Sequence, residues 1–272
     1  MDSAILAVLL AVLGYSVLNV TQAIQKMGLA MRSKSKKKGS IIWAAATVAA
    51  SLSVILVYVA LSFGTVAVVG AMAGTGLVAL ALFSRFVLGE HLRVRDVVAI
   101  LAIVVAAGVV GYFAEEGRGT ANTALLYGIL GGGVVVGTLA WILVPKGSPT
   151  AIAVGAFSGF TGSYSQLFQN AAVSDVSLAD GLWPFIVATV TEPLTAIWVG
   201  LSLASVVIMQ FAYKHGDAIQ IIPIFTSVFI ITPVVGGLVV FGENLAPLQW
   251  VGVGIILVGA YVLGRRGESA QV

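Results

Sequence analysis

The chain has 272 residues, of which 59% are hydrophobic and only 9% are charged, and its mean hydropathy is +1.07. A soluble domain usually carries about 25% charged residues. This composition therefore excludes a soluble enzyme, a disordered chain and a nucleic-acid-binding domain. The net charge of +3 is small, and the absence of cysteine excludes disulfides, Cys-ligated metals and thiol catalysis. The sequence predicts an integral membrane protein.

Apolar segments long enough to cross a bilayer, about 20 residues each, predict nine transmembrane helices. Runs such as 97–110 lack the alternation of apolar and polar residues that barrel strands require, so the spans are predicted to be helices. The fold class is an all-α polytopic membrane protein. Its predicted spans are roughly 4–25, 41–63, 66–88, 97–114, 123–144, 150–172, 194–213, 219–241 and 247–264.

The distribution of Lys and Arg predicts the orientation. With nine spans, all of the 14 Lys and Arg residues except Arg118 fall on one side. Because cytoplasmic loops are enriched in Lys and Arg, the N-terminus is predicted outside and the C-terminus in the cytoplasm. The basic run 32–38 then acts as a topology determinant near anionic lipid, with a dedicated binding patch as the alternative. We expect a multi-pass protein of the cell membrane, in contact with the lipid bilayer.

The two halves of the sequence resemble each other. Setting residue i against i+153 aligns 58–111 with 211–264 without a gap, and the clearest match pairs Gly89-Glu90 with Gly242-Glu243. Spans 1–4 then correspond to spans 6–9, and an offset of five spans reverses their direction. Such inverted repeats are typical of alternating-access transporters.

A second match, at an offset of 149, sets Tyr15-Ser16 of span one against Tyr164-Ser165 of span six. The predicted organisation is therefore an inverted 4+1+4 repeat. Its units are a first four-helix repeat at 1–115, a connecting fifth helix at 116–147 and a second, inverted four-helix repeat at 148–272.

These repeated segments resemble the drug/metabolite transporter superfamily and its EamA-type fold. The resemblance lies in 60–90 and in its counterpart 212–243, each ending in Gly-Glu and followed by a Gly-containing span. The nine-span layout, the Lys-rich first loop and the Ile-Pro-Ile segment at 222–224 are closest to the NIPA-like magnesium transporters. The NIPA-like pattern carries a carboxylate in the second span, where this chain has Ser51 and Ser53.

Polar side chains form a stripe on span one and another on span six, because their spacing places them on one face of each helix. Polar groups inside a membrane are costly and mark functional sites. Since the two spans are repeat mates, the stripes predict one central cleft, shared by Gln22 and Gln166, for a small polar solute. Amide bonding that only fixes helix packing is the alternative. The predicted solute-binding residues are Tyr15, Asn19, Gln22, Ser163, Gln166, Gln169 and Asn170.

Spans three and eight carry the residues expected to form a hinge or gate. Gly70 of span three aligns with Pro223 of span eight, which also contains Pro233. Proline kinks a helix and frees a backbone carbonyl. Close packing through small residues is the alternative role for the glycines.

Carboxylates are absent from the centres of the predicted spans. Because no nucleophile–base or metal-binding constellation occurs there, we expect no enzyme activity, no cofactor and no resident metal. Glu90 and Glu243 each precede a span, which favours helix capping. His91 and His215 fall in cytoplasmic loops and are expected to be solvated. The loop 173–193 is expected outside, with Trp183 at the interface.

The sequence thus predicts a secondary transporter for a small polar metabolite. A NIPA-like transporter of magnesium or another divalent cation is the alternative. The expected partners are a small polar solute or a cation and the lipid bilayer, with no nucleic acid. The oligomeric state stays open because one chain already supplies both repeats.

Overall fold

The computed structural model describes residues 3–33, 35–87, 92–114, 120–143, 148–173, 181–215 and 218–264. Within these ranges the protein is helical throughout, without a strand. A single 3₁₀ turn, Met72–Gly74, separates the third helix from the fourth. The helices are α1 (Ser3–Met31), α2 (Lys36–Leu61), α3 (Val66–Ala71), α4 (Thr75–Phe86), α5 (Val94–Tyr112), α6 (Thr123–Leu143), α7 (Ser148–Val173), α8 (Leu182–Thr191), α9 (Pro193–His215), α10 (Ala218–Val240) and α11 (Pro247–Gly264).

A helix lies at each predicted span, with α3, the 3₁₀ turn and α4 together occupying the third. Among the described residues, four segments are long and apolar enough to cross a membrane: Ser3–Gln25, Lys36–Leu61, Val66–Phe86 and Val94–Tyr112. Shorter apolar helices follow at Thr123–Leu139, Pro193–Met209, Ile224–Val240 and Pro247–Leu263. The all-helical, apolar fold agrees with a membrane protein. The nine-span count, the orientation and the repeat boundaries stay predictions.

The outer surface of the protein is strongly apolar. Large side chains such as Phe86, Val94 and Val105 are 80%, 81% and 66% exposed. Water-soluble monomers seldom expose contiguous apolar patches of this kind. This exterior suits contact with lipid.

Helix ends are set by local sequence. Pro193 and Pro247 occupy the first positions of α9 and α11, where the missing N–H of proline has no partner to lose. The side chain of Thr65 caps α3. At the start of α5, the backbone N–H of Arg93 donates to Asp96 Oδ2 at 2.9 Å, so the Asp96 carboxylate satisfies an N–H group at the helix terminus.

The same helix neighbours recur in the two halves. In the first half α1 packs on α2 and on α4, and in the second half α7 packs on α9 and on α10. Across the halves, α3 contacts α10 and α5 contacts α11. The core therefore lies where these two sets of helices meet, and α6 joins it through α7 and α10.

The segment 173–193, predicted as an external loop, contains the helix α8. Trp183 on this helix is 73% exposed. Its placement at a membrane interface stays a prediction. Glu90 and His91 lie outside the described residues, as does the side chain of His215.

Candidate functional site

A buried hydrogen bond joins the two predicted polar stripes. Tyr15 Oη of α1 donates to Gln166 Oε1 of α7 at 2.9 Å, and both side chains are buried. The ring of Tyr15 also meets Phe229 of α10 edge-on, with the ring centroids 6.4 Å apart. Tyr15 lies near the middle of α1, so three helices from both halves converge at the centre of the protein.

Asn19 extends this contact by one turn. Its amide donates to the backbone carbonyl of Tyr15 at 3.0 Å and lies against Gly76 of α4. A Cβ at Gly76 would overlap both the Asn19 amide and the Tyr15 carbonyl. Glycine at this position therefore permits the close approach of α4 to the polar face of α1.

Two of the predicted site residues do not join this contact. Gln22 is exposed on α1, two turns beyond Tyr15, and it is Tyr15 rather than Gln22 that bonds Gln166. Ser163 is buried in α7, but its hydroxyl donates to the carbonyl of Gly159 in its own helix at 2.6 Å.

Gln169 and Asn170 present polar atoms that the described residues leave without a hydrogen-bond partner. Both side chains are buried, at 4% and 0% exposure. Gln169 Nε2 and both amide atoms of Asn170 have no partner in the described part of the chain. A buried polar group without a partner costs about 1–3 kcal/mol. Packing between helices gives no reason to keep these amides.

An adjoining face of α7 packs on α9 through hydroxyl groups. Ser158 and Ser205 donate to each other's backbone carbonyl, both at 2.8 Å, and Ser202 Oγ donates to Ser165 Oγ at 3.0 Å. The sequence prediction did not include this interface. The signal lies in serines spaced by seven residues in α7 and by three in α9, a spacing that keeps each pair on one helix face.

Two aromatic residues, one on α2 and one on α9, were also missed. Trp198 of α9 stacks on Tyr58 of α2, with centroids 6.4 Å apart and 28° between the rings. Tyr58 Oη shares a hydrogen bond with Thr189 Oγ1 of α8 at 2.6 Å. Trp198 Nε1 is buried, and no described residue accepts from it. Tyr58 and Trp198 each carry a polar atom within an otherwise apolar predicted span, and this signal in the sequence could have identified them.

The predicted hinge residues lie at the contact of α3 with α10. A Cβ at Gly70 would overlap the ring of Pro233, so these two residues pack directly. Pro223 lies within α10, although its side chain falls outside the described set. The predicted third span departs from an α-helix at the 3₁₀ turn Met72–Gly74, directly after α3. The predicted eighth span, α10, is a continuous helix.

Glu243 forms a second contact between the halves. The backbone N–H groups of Val66 and Ala67, at the start of α3, donate to its two carboxylate oxygens at 2.8 Å each. Gly242 has a φ of 64°, which turns the chain so that Glu243 faces α3. Glu243 therefore caps a helix in the other half, whereas its position in the sequence favours the helix that follows it.

The environment of Glu243 has opposing effects on its ionisation. Burial raises the pKa of Glu243, and the two backbone hydrogen bonds oppose that rise. The described residues of the elements that pack around it, α3, α10 and α11, include no Asp, Glu, Lys, Arg or His.

A separate groove of about 360 Å³ lies between α6, α7 and α9. Thr138 supplies a hydroxyl there, but it donates to the carbonyl of Val134 in its own helix. The groove therefore offers little to a polar solute. Its lining residues are Gly137, Thr138, Ala153, Val154, Phe157, Ile208 and Phe211.

No family model matches the chain, and no curated protein or solved structure is significantly similar to it. Within the described ranges, no three His, Asp or Glu side chains group as a metal site.

Proposed function

We propose that the protein is a secondary transporter of the cell membrane, which moves a small polar solute by alternating access between its two halves. The observation that carries the proposal is the group of unpartnered amide atoms on Gln169 and Asn170. These atoms lie within one turn of Gln166, whose side chain bonds Tyr15 of the opposite half. A solute bound there would contact both halves at once.

The energetics favour binding over packing. A helix interface selected for stability alone would pair its amides, since each buried polar group without a partner costs about 1–3 kcal/mol. The neighbouring serines of α7 follow that rule, because each of Ser158, Ser163 and Ser165 donates a hydrogen bond. Gln169 and Asn170 depart from it, as groups held for a ligand would.

The helix contacts support the inverted repeat on which alternating access depends. In the predicted repeat, α1 corresponds to α7, α2 to α9, and α3 with α4 to α10. The contacts of α1 with α2 and α4 thus have their counterparts in those of α7 with α9 and α10. Transporters with inverted repeats bind solute at the repeat interface near the membrane midplane, and the bond between Tyr15 and Gln166 joins the two predicted repeats.

A test that needs no knowledge of the solute uses the cysteine-free sequence. We would compare Asn170→Cys with Ser158→Cys, since both residues are fully buried on α7 and only Asn170 belongs to the proposed site. A small, membrane-impermeant thiol reagent would be applied to right-side-out and to inside-out vesicles.

Alternating access predicts that Asn170→Cys is modified from both sides and Ser158→Cys from neither. If Asn170→Cys is modified from neither side, the amides are packing groups and the proposal is wrong. Modification from one side alone would indicate a closed-ended cavity and would also contradict the proposal.

A further inference from the structure

The unpartnered amides of α7 have an additional neighbour on α9. The bonds between Ser158 and Ser205 and between Ser165 and Ser202 show that the two helices run antiparallel. One helical turn beyond Ser165 is Gln169, and one turn before Ser202 is Trp198. Gln169 and Trp198 therefore lie in the same layer and on the facing sides of the two helices.

The chemistry of this layer is dominated by hydrogen-bond donors. Its unpartnered atoms are Gln169 Nε2, Asn170 Nδ2 and Trp198 Nε1, which donate, and Asn170 Oδ1, which accepts. Asn170 directly follows Gln169 and lies about 100° further around α7, toward the face of Gln166. The indole nitrogen can only donate, and an asparagine amide offers one donor and one acceptor whichever way it is turned. A ligand that satisfies these groups must bring more acceptor atoms than donors.

The stack of Trp198 on Tyr58 fixes the direction of the indole N–H. Tyr58 is itself held by its hydrogen bond to Thr189. Donors whose positions are fixed before binding lose little entropy when a ligand arrives. A carboxylate accepts through two oxygens, and its bonds to N–H donors are about twice as strong as those between neutral partners.

We propose that Gln169, Asn170 and Trp198 form a subsite for the carboxylate, or a comparable oxygen-rich anionic group, of the transported solute. The proposal rests on the proposed transport function and names its substrate class. The donors turn their positive ends toward the ligand. The subsite therefore selects against ammonium groups and Mg²⁺, which require acceptor oxygens.

The experiment measures binding to the purified full-length chain with paired probes. Benzoate and propionate supply carboxylates, benzylamine and propylamine supply cations of similar size, and MgCl₂ supplies the divalent ion, all at constant ionic strength. Thermal shift and intrinsic tryptophan fluorescence give the affinities. The carboxylates should stabilise the protein, and the amines and Mg²⁺ should not.

Variants then locate the binding. Trp198→Phe keeps an aromatic ring on Tyr58 and removes the N–H, and the control Trp250→Phe changes a half-exposed indole on α11. Carboxylate affinity should fall by about tenfold or more in Trp198→Phe, the loss expected for one hydrogen bond to a charged group. It should stay unchanged in Trp250→Phe. If Trp198→Phe does not fold, Gln169→Met replaces it, since methionine keeps the chain length without the amide.

Carboxylate binding that depends on Trp198 or Gln169 supports the subsite. Equal binding in all variants, preferential binding of amines or Mg²⁺, or no response to any carboxylate overturns it. The thiol assay separates the two proposals. Carboxylate binding without two-sided access at Asn170 would support the subsite and contradict transport. Two-sided access without carboxylate binding would support transport and contradict the subsite.

Discussion

Replacing Glu243 should test the contact between the two halves most directly. Its carboxylate accepts two 2.8 Å hydrogen bonds from the N–H groups of Val66 and Ala67, and both of these residues are fully buried. Glu243→Ala would leave both N–H groups without a partner inside the protein. Glu243→Gln would keep one oxygen and turn an NH₂ group toward the other N–H.

The expected magnitude follows from these bonds. An unsatisfied buried donor costs about 1–3 kcal/mol, so Glu243→Ala should lower the unfolding free energy by about 2–6 kcal/mol. The relief from no longer burying a carboxylate reduces that loss. Glu243→Gln should cost roughly half as much, since one of the two bonds survives.

The pH dependence has a definite sign. Burial raises the pKa of Glu243 in the folded protein. A carboxyl group whose folded-state pKa is raised adds stability at pH below its ordinary value, and this stability is lost as the pH rises through the raised pKa. The wild-type protein should therefore lose stability as the pH rises from the ordinary glutamate pKa, about 4.5. Glu243→Gln lacks this titration and should lose less.

The assay is equilibrium unfolding of the purified protein in detergent micelles at a series of pH values. Asp96→Asn is the control, because the asparagine carbonyl can still accept the bond that the Arg93 N–H donates to Asp96 Oδ2. The ion pair of Asp96 with the half-exposed Arg95, at 3.6 Å, contributes little. The variant should change stability little. A loss below about 1 kcal/mol in Glu243→Ala, smaller than one unsatisfied donor requires, would refute this account of the contact. An identical pH profile for wild type and Glu243→Gln would refute the account of the pKa.

Two further predictions concern the centre of the protein and the contact of α3 with α10. Tyr15→Phe and Gln166→Leu should each lose a bond of about 0.6–2 kcal/mol, and the double variant should cost little more than either single one. Additive losses in melting experiments would show that the two side chains act independently. Gly70→Ala should destabilise by about 1–3 kcal/mol, because its Cβ would overlap the rigid ring of Pro233. Gly108→Ala, which meets open space in α5, should be neutral or gain up to about 1 kcal/mol, and equal melting temperatures for these two variants would contradict the packing.

The helices could be predicted from the sequence because a membrane protein reveals them through long apolar runs. Their ends are fixed by local signals as well, such as Pro193, Pro247 and the carboxylate of Asp96. The 3₁₀ turn at Met72–Gly74 was not predictable in this way, since the glycines around it fit an unbroken helix equally well. The turn reflects tertiary contacts, among them the packing of Gly74 against Ile256.

The candidate site was predictable in part. The helical period placed Tyr15, Asn19 and Gln166 on facing stripes, and the structure brings them together. The helical period predicts which residues share a helix face but not how deeply each one lies in the bundle. The predicted stripe therefore also included Gln22, which is exposed. Trp198 was missed because an aromatic residue in an apolar helix usually contributes to packing, and its unpartnered nitrogen is visible only in three dimensions.

The side chains of α7 explain why amides locate the site better than hydroxyls do. A serine hydroxyl in a helix can donate to a carbonyl one turn earlier, as Ser163 does, so it enters an apolar environment at little cost. An amide has two donors and an acceptor, and its own helix cannot satisfy them all. The amide oxygen of Gln166 accepts a hydrogen bond from Tyr15. By contrast, Gln169 Nε2 and both amide atoms of Asn170 have no described partner. A polar stripe in a membrane helix is thus a stronger indication of a ligand when amides form it, and in this chain the unmet donors also indicate the ligand's chemistry.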